Sequence, residues 1–153
     1  MTIDPDMAAF LQEGLPTHIG TRNADLEPSG ARVTAVKVDA DGEHVTVYLP
    51  VVAAPPLLDD LRANGQVAVV AARPADERSC QVKGTFVESW TPSAEEEAFA
   101  AQQYARALQA VEVVGIPRSG SESWRMSPCV AVRFRANALF TQTPGPGAGA
   151  RLR

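Results

Sequence analysis

Asp39-Ala40-Asp41-Gly42 stands between two runs rich in β-branched residues, and it constrains the fold more than any other stretch of the chain. An Asp-Gly pair accepts the positive backbone angles of a tight hairpin, so residues 31–39 and 44–49 are expected to pair as antiparallel strands. Val33, Thr34, Val36 and Val38 mark the first strand, and Val45, Thr46, Val47, Tyr48 and Leu49 mark the return. Ahead of them, residues 17–22 alternate as a strand, and residues 23–30 read as a turn by their Asn, Asp, Pro and Gly content. These three strands are expected to form a meander.

The rest of the chain punctuates itself clearly. Met7, Phe10 and Leu11 predict a short helix over 6–13. Pro55 and Pro56 open a second helix, whose apolar face is Leu57, Leu58 and Leu61 and whose end is Asn64-Gly65. Residues 66–72 form an apolar run of strand length, and residues 79–90 a longer strand. Ser93 and Glu96 are spaced as a capping box, starting a helix that reaches about Val114 and turns Ala94, Ala98, Ala101, Ala105 and Leu108 toward a neighbour. Residues 115–123 are loop, and a last strand covers 129–134 with an extension toward Thr141. The expected fold is α+β: a six-stranded antiparallel split barrel with flanking helices. Residues 1–143 form one domain, and 144–153 are a Gly/Pro-rich tail, either mobile or pinned by a partner.

Composition narrows the function classes. With 153 residues and a net charge of -4, the chain lacks the basic surplus that nucleic-acid binding needs. No segment approaches the roughly 20 apolar residues of a membrane span. Asp4 and Asp6 occupy the N-terminal stretch where a secretory signal would be basic, which points to the cytoplasm. Cys80 and Cys129 share no close-spaced motif and read as buried thiols, and His18 and His44 fit no short zinc pattern.

Chemistry concentrates on two strands. Along 79–90, Cys80, Val82, Gly84 and Phe86 share the core face, and Gln81, Lys83 and Thr85 share the other. Gln81 and Lys83 offer a planar amide beside a point charge, suited to a heteroaromatic ring with an anionic group; the competing reading is a solvated outer face. Arg32 and Lys37, five apart, fall on opposite faces of a regular strand and reach one ligand only through a bulge or at a subunit boundary. Otherwise they are edge charges. Glu95-Glu96-Glu97 begins a helix and reads as structural, and Trp90 and Trp124 read as packing residues.

The ordered set Arg32-Val33-Thr34-Ala35-Val36-Lys37, Val47-Tyr48-Leu49, the segment from Leu57 to Val69, Gln81-Val82-Lys83-Gly84 and the closing stretch from Gln142 to Gly149 resembles the FMN-binding split-barrel family related to pyridoxamine 5'-phosphate oxidase. The resemblance implies a homodimer with FMN sites at the subunit interface and an oxidoreductase activity on an unknown small substrate. It also implies cofactor contacts from Arg32, Val33, Thr34, Lys37, Tyr48, Gln81 and Lys83. Where the oxidase carries a Ser-Arg-Lys phosphate cluster, residues 50–56 here are Pro-Val-Val-Ala-Ala-Pro-Pro, without a hydroxyl or a base. The alternative is therefore a non-catalytic protein that binds flavin, a deazaflavin or haem without that clamp.

Overall fold

The computed structural model describes residues 1–120 and 126–153; Ser121, Ser123 and Trp124 lie outside them. Its helices are α1 (Pro5–Leu11), α2 (Ala54–Asn64) and α3 (Ala94–Val113). Its strands are β1 (Thr17–Arg22), β2 (Pro28–Val33), β3 (Ala35–Val38), β4 (His44–Pro50), β5 (Gln66–Ala72), β6 (Ser79–Trp90) and β7 (Cys129–Thr141). Each neighbouring pair is antiparallel, in the order β2-β1-β5-β6-β7-β4-β3.

Seven strands replace the six expected, because the run after Pro28 is two strands meeting at Thr34. Val33 pairs with Thr17 of β1, whereas Ala35 pairs with Tyr48 of β4. Between them the Thr34 N–H donates to the Tyr48 carbonyl at 2.8 Å, and its hydroxyl donates to the Met126 carbonyl at 2.8 Å. β2 and β3 are the two ends of the sheet order, so this bent stretch joins the edges as the sheet curls. The corner shifts the alternation by one residue, so that Val33 and Val36, three apart, both face the core, and the unbroken β-branched run masks that shift. The expected meander is thus two hairpins, β1 with β2 and β3 with β4.

The barrel interior takes the inward residues of every strand, including Ile19, Val47, Val69, Val82 and Phe134. Phe10 and Leu11 of α1 and Leu57 and Leu61 of α2 complete this core. Along β6 the expected alternation holds: Cys80 and Val82 are buried, and Phe86 packs against the core. At Gly84 an added Cβ would lie 2.3 Å from the Arg135 carbonyl oxygen and 2.4 Å from a Phe134 ring carbon. Only glycine lets β6 and β7 approach so closely beside their bulge.

α3 begins at its capping box, with Ser93 and Glu96 exchanging both hydrogen bonds. Its packed face differs from the alanine stripe expected. Ala94, Ala98, Ala101 and Ala105 are exposed, and Ala100 and Gln103 are buried. The reason is polar: the Gln103 amide accepts from the Val36 N–H at 3.0 Å and donates to the Val36 carbonyl at 2.8 Å. Beside it, Gln12 accepts from the Val38 N–H at 3.1 Å. Two side-chain amides thus stand where a neighbouring strand would pair with β3.

The tail turns back on its own chain. The Gly149 N–H donates to the Thr141 carbonyl at 2.7 Å, the Leu152 N–H to that of Leu139 at 2.7 Å, and Arg151 faces Phe140. Cys80 and Cys129 are both free and buried, as expected. Among the described residues no helix is long and apolar enough to cross a membrane.

Candidate functional site

Side chains opposite one another across a ladder share a face, and the register assembles two surfaces on the outside of the sheet. At one end, Ala35, Tyr48, Ala131 and Trp90 form a row across β3, β4, β7 and β6. The next row is Lys37, Thr46, Arg133 and Glu88. The first turn of α3 leans over these rows, leaving an open cleft of about 460 Å³ lined by Lys37, Asp39, Tyr48, Trp90, Glu96 and Arg133, among others.

The cleft wall is a hydrogen-bonded system centred on Glu96. Its carboxylate accepts from Trp90 Nε1 at 3.2 Å, from the Tyr48 hydroxyl at 3.3 Å and from the Ser93 N–H at 2.8 Å. These donors, led by the Ser93 N–H, hold the carboxyl of Glu96 below its usual range. Tyr48, 1% exposed, is the floor; burial first and the Glu96 charge second push its phenol well above the ordinary value. Arg133 donates to Asp39 at 2.5 Å and to Glu88 at 3.4 Å, so its charge is divided between two carboxylates. Lys37 is exposed and makes no hydrogen bond or ion pair with a described residue.

The second surface is a platform. Arg32, His18, Val70, Gln81 and Phe140 form one continuous row from β2 to β7, which Arg151 of the tail extends. Gly30, Gly20, Ala68, Lys83 and Ala138 form the row beside it, and four of these five residues have little or no side chain. The result is a shallow hollow of about 340 Å³ bordered by Arg22 and Lys83, the latter with its ammonium 5.1 Å from the Phe140 ring centroid. Burial first, then the neighbouring Arg32 charge, lower the pKa of His18 on this face.

The residues proposed from sequence therefore divide. Lys37 and Tyr48 meet in the cleft, and Arg32, Gln81 and Lys83 share the platform. Val33 and Thr34 lie buried at the bend between them. The bend is the irregularity that Arg32 and Lys37 needed, yet within one chain they line separate cavities. Arg32 borders an apolar pocket under α3 with room for about 20 Å³, a single water's worth. Sequence reasoning missed Thr46, Glu96 and Arg133 and read Trp90 first as a packing residue, with a place beside a flavin as the lesser alternative. Alternation places Thr46 and Arg133 on an outer face, but Trp90 has the parity of the core-facing residues of β6 and comes outside only through the register shift after Phe86, while Glu96 reaches the cleft from α3.

Asp39, Asp41 and His44 also gather ligand atoms within 4.8 Å of one another. Asp39 is engaged by Arg133, and Asp41 clasps the hairpin turn through the Glu43 and His44 N–H groups and His44 Nδ1. The His44 bond is the main reason the Asp41 carboxyl falls to about 2.

No protein-family model and no curated protein matches the chain. Solved structures do match along nearly its whole length. A provisionally assigned pyridoxamine 5'-phosphate oxidase from Lactobacillus delbrueckii is 14% identical with a TM-score of 0.56, covering 91% of this chain and 93% of its own. An F420 reductase is 18% identical with a TM-score of 0.57, covering 89% and 98%. An FMN-binding protein from Syntrophomonas wolfei is 10% identical with a TM-score of 0.57, covering 92% and 86%. At such identities the likeness is one of fold: the chain has the split barrel of the pyridoxamine 5'-phosphate oxidase-like proteins.

Proposed function

We propose that this chain is a cytoplasmic flavoprotein that holds FMN and transfers electrons or hydride to a small substrate. In this reading it is a homodimer, in which the cleft of one subunit and the platform of the other share each cofactor. The observation that carries this reading is Lys37: a cation with no partner among the described residues, beside the Tyr48–Trp90 row, in a cleft of ligand size. The fold is one that an FMN-binding protein and an F420 reductase also adopt. A tricyclic ring needs two walls. The platform's small-residue floor is flat enough to cover one face, with Gln81 placed to bond ring heteroatoms. The phosphate falls to Lys83 and Arg22, because residues 50–56 offer no base and instead expose Val51 and Val52. When bound, the flavin supplies the redox chemistry; the residues of the chain bind and orient the ring and shield it from water.

The second reading is a non-catalytic carrier of a flavin or deazaflavin. It is favoured by the bare loop, since each charge-assisted bond lost weakens phosphate binding by about 1.5–3 kcal/mol. For haem, an imidazole could come only from His18, which stands on the platform, or from His44, and neither lines the cleft. Purified protein is to be titrated with FMN, a deazaflavin and haem while visible absorbance and sedimentation are followed. FMN binding at micromolar concentration by a dimer, weakened at least tenfold by Lys37→Ala and by Lys83→Ala alike, is the expected result. A monomer that binds no flavin removes the reading, and a Soret band redirects it to haem.

A further inference from the structure

We propose that the cleft selects amine-bearing ligands over phosphorylated ones, and that Glu96 sets this preference. The inference deepens the reading above and rests on its placing of a ligand in the cleft; it does not require that ligand to be a flavin. The case is an inventory of donors and acceptors. The aromatic wall has two polar hydrogens, on Trp90 Nε1 and the Tyr48 hydroxyl, and both are directed to Glu96. Neither is left for a ligand. What the wall presents is the half-buried carboxylate of Glu96, flanked by the Trp90 ring.

The second row continues the pattern. Glu88 and Asp39 hold Arg133 between them, so its guanidinium is already balanced by two carboxylates when a ligand arrives. Lys37 is the cation on this lining without a carboxylate within ion-pair distance among the described residues. A phosphate dianion would meet one free cation against Asp39, Glu88 and Glu96. An ammonium or ring N–H would meet acceptors and an aromatic face, the combination that recognises organic cations. Lys37 then takes a carbonyl or a single negative charge elsewhere on the same ligand. The fitting class is a ring-bearing amine, neutral or zwitterionic at the end that enters the cleft, with any phosphate held outside it.

Glu96 is a positioning residue in this scheme as well as an acceptor. Its backbone and side chain complete the capping box of α3, so one residue fixes the helix start, the Trp90 ring and the Tyr48 hydroxyl together. Gln at this position still suits a capping box, but it brings an NH₂ into the wall and removes a negative charge.

Three probes sharing a phenyl ring test the proposal: benzylamine, benzyl alcohol and phenyl phosphate, titrated calorimetrically against flavin-free protein. The expected order is benzylamine, then benzyl alcohol, then phenyl phosphate, with on the order of tenfold between first and last. Glu96→Gln should narrow that gap several-fold and shift the Trp90 emission. Glu88→Gln, on the exposed β6 surface, should narrow it without moving the emission or the helix content. Phenyl phosphate binding as tightly as benzylamine overturns the proposal, as does the absence of binding by any probe up to millimolar concentration. A parallel FMN titration separates the two claims: loss of FMN binding with the amine preference intact removes only the flavin reading.

Discussion

Replacing Gln103 with Leu removes the side chain that stands in for a strand at the β3 edge. Gln103 is 4% exposed, and its amide serves both the N–H and the carbonyl of Val36, at 3.0 and 2.8 Å. Leucine has nearly the same volume and leaves both backbone groups buried without partners. Each such group costs about 1–3 kcal/mol, and the added apolar surface recovers about 1–2 kcal/mol, leaving a net loss of about 2–3 kcal/mol at the middle of those ranges. For a domain of this size that is a fall in Tm of about 5–15 °C. Urea unfolding should show the lowered midpoint with an unchanged slope, and amide exchange at Val36 should accelerate more than at Val47 in the barrel. If the variant unfolds within about 0.5 kcal/mol of the parent, Gln103 is not capping the edge. The functional echo is a looser α3 start, and with it a Glu96 that holds Trp90 less firmly.

Gly84→Ala should destabilise by at least about 2–3 kcal/mol in the same unfolding assay, because its methyl would press on the Arg135 carbonyl and the Phe134 ring; a neutral result would mean that β6 and β7 can separate freely there. The Tyr48 phenol, held above its ordinary 10.0 by burial and by Glu96, ionises later in the folded chain than in the unfolded one. Its contribution to stability is therefore intact below pH 10 and is lost as the pH rises toward the folded value, so urea midpoints should fall across that range. Tyr48→Phe should flatten that fall, and an identical pH profile for the variant would contradict the assignment. Burial pushes the Cys80 thiol up to about 11 and raises that of Cys129 as well. Both should react with a thiol reagent at least a hundredfold faster in denaturant than in buffer, and a rapid native reaction would show that one of them is accessible.

The barrel was legible because its signals are local. Asp41-Gly42, Asn64-Gly65 and the Ser93–Glu96 box each act within a few residues, and each stands where its chemistry predicts. The alternation of β6 likewise needs no knowledge of the rest of the molecule. The corner at Thr34 was not legible, since the β-branched run continues through it and what turns the chain is pairing with two different strands. The packed face of α3 was misread for a related reason. Its alanines have the spacing of a packing stripe, but the edge of β3 leaves backbone groups that only an amide can satisfy, and Gln103 therefore turns inward. A polar need on one element chose the buried face of another.

The candidate site divides for a reason that lies in β6 itself. This strand carries Gln81 and Lys83 on the platform and Glu88 and Trp90 in the cleft. From Lys83 to Glu88 is five residues, about 16 Å along an extended strand, and the register shifts between Lys83 and Gly84 and between Phe86 and Glu88 bend it further. A planar ligand lying in the cleft of one chain is thus out of reach of that chain's own Lys83. In the proposed dimer, an acid-walled cleft whose Lys37 has no ion-pair partner among the described residues would face a basic platform floored by glycine and alanine. On that basis Lys37 and Lys83 belong to one site only when they come from different subunits. Mixing the Lys37→Ala and Lys83→Ala chains should then restore one intact flavin site in each heterodimer. A mixture with no more flavin-binding capacity than either variant alone would refute the shared site, even if the dimer itself persists.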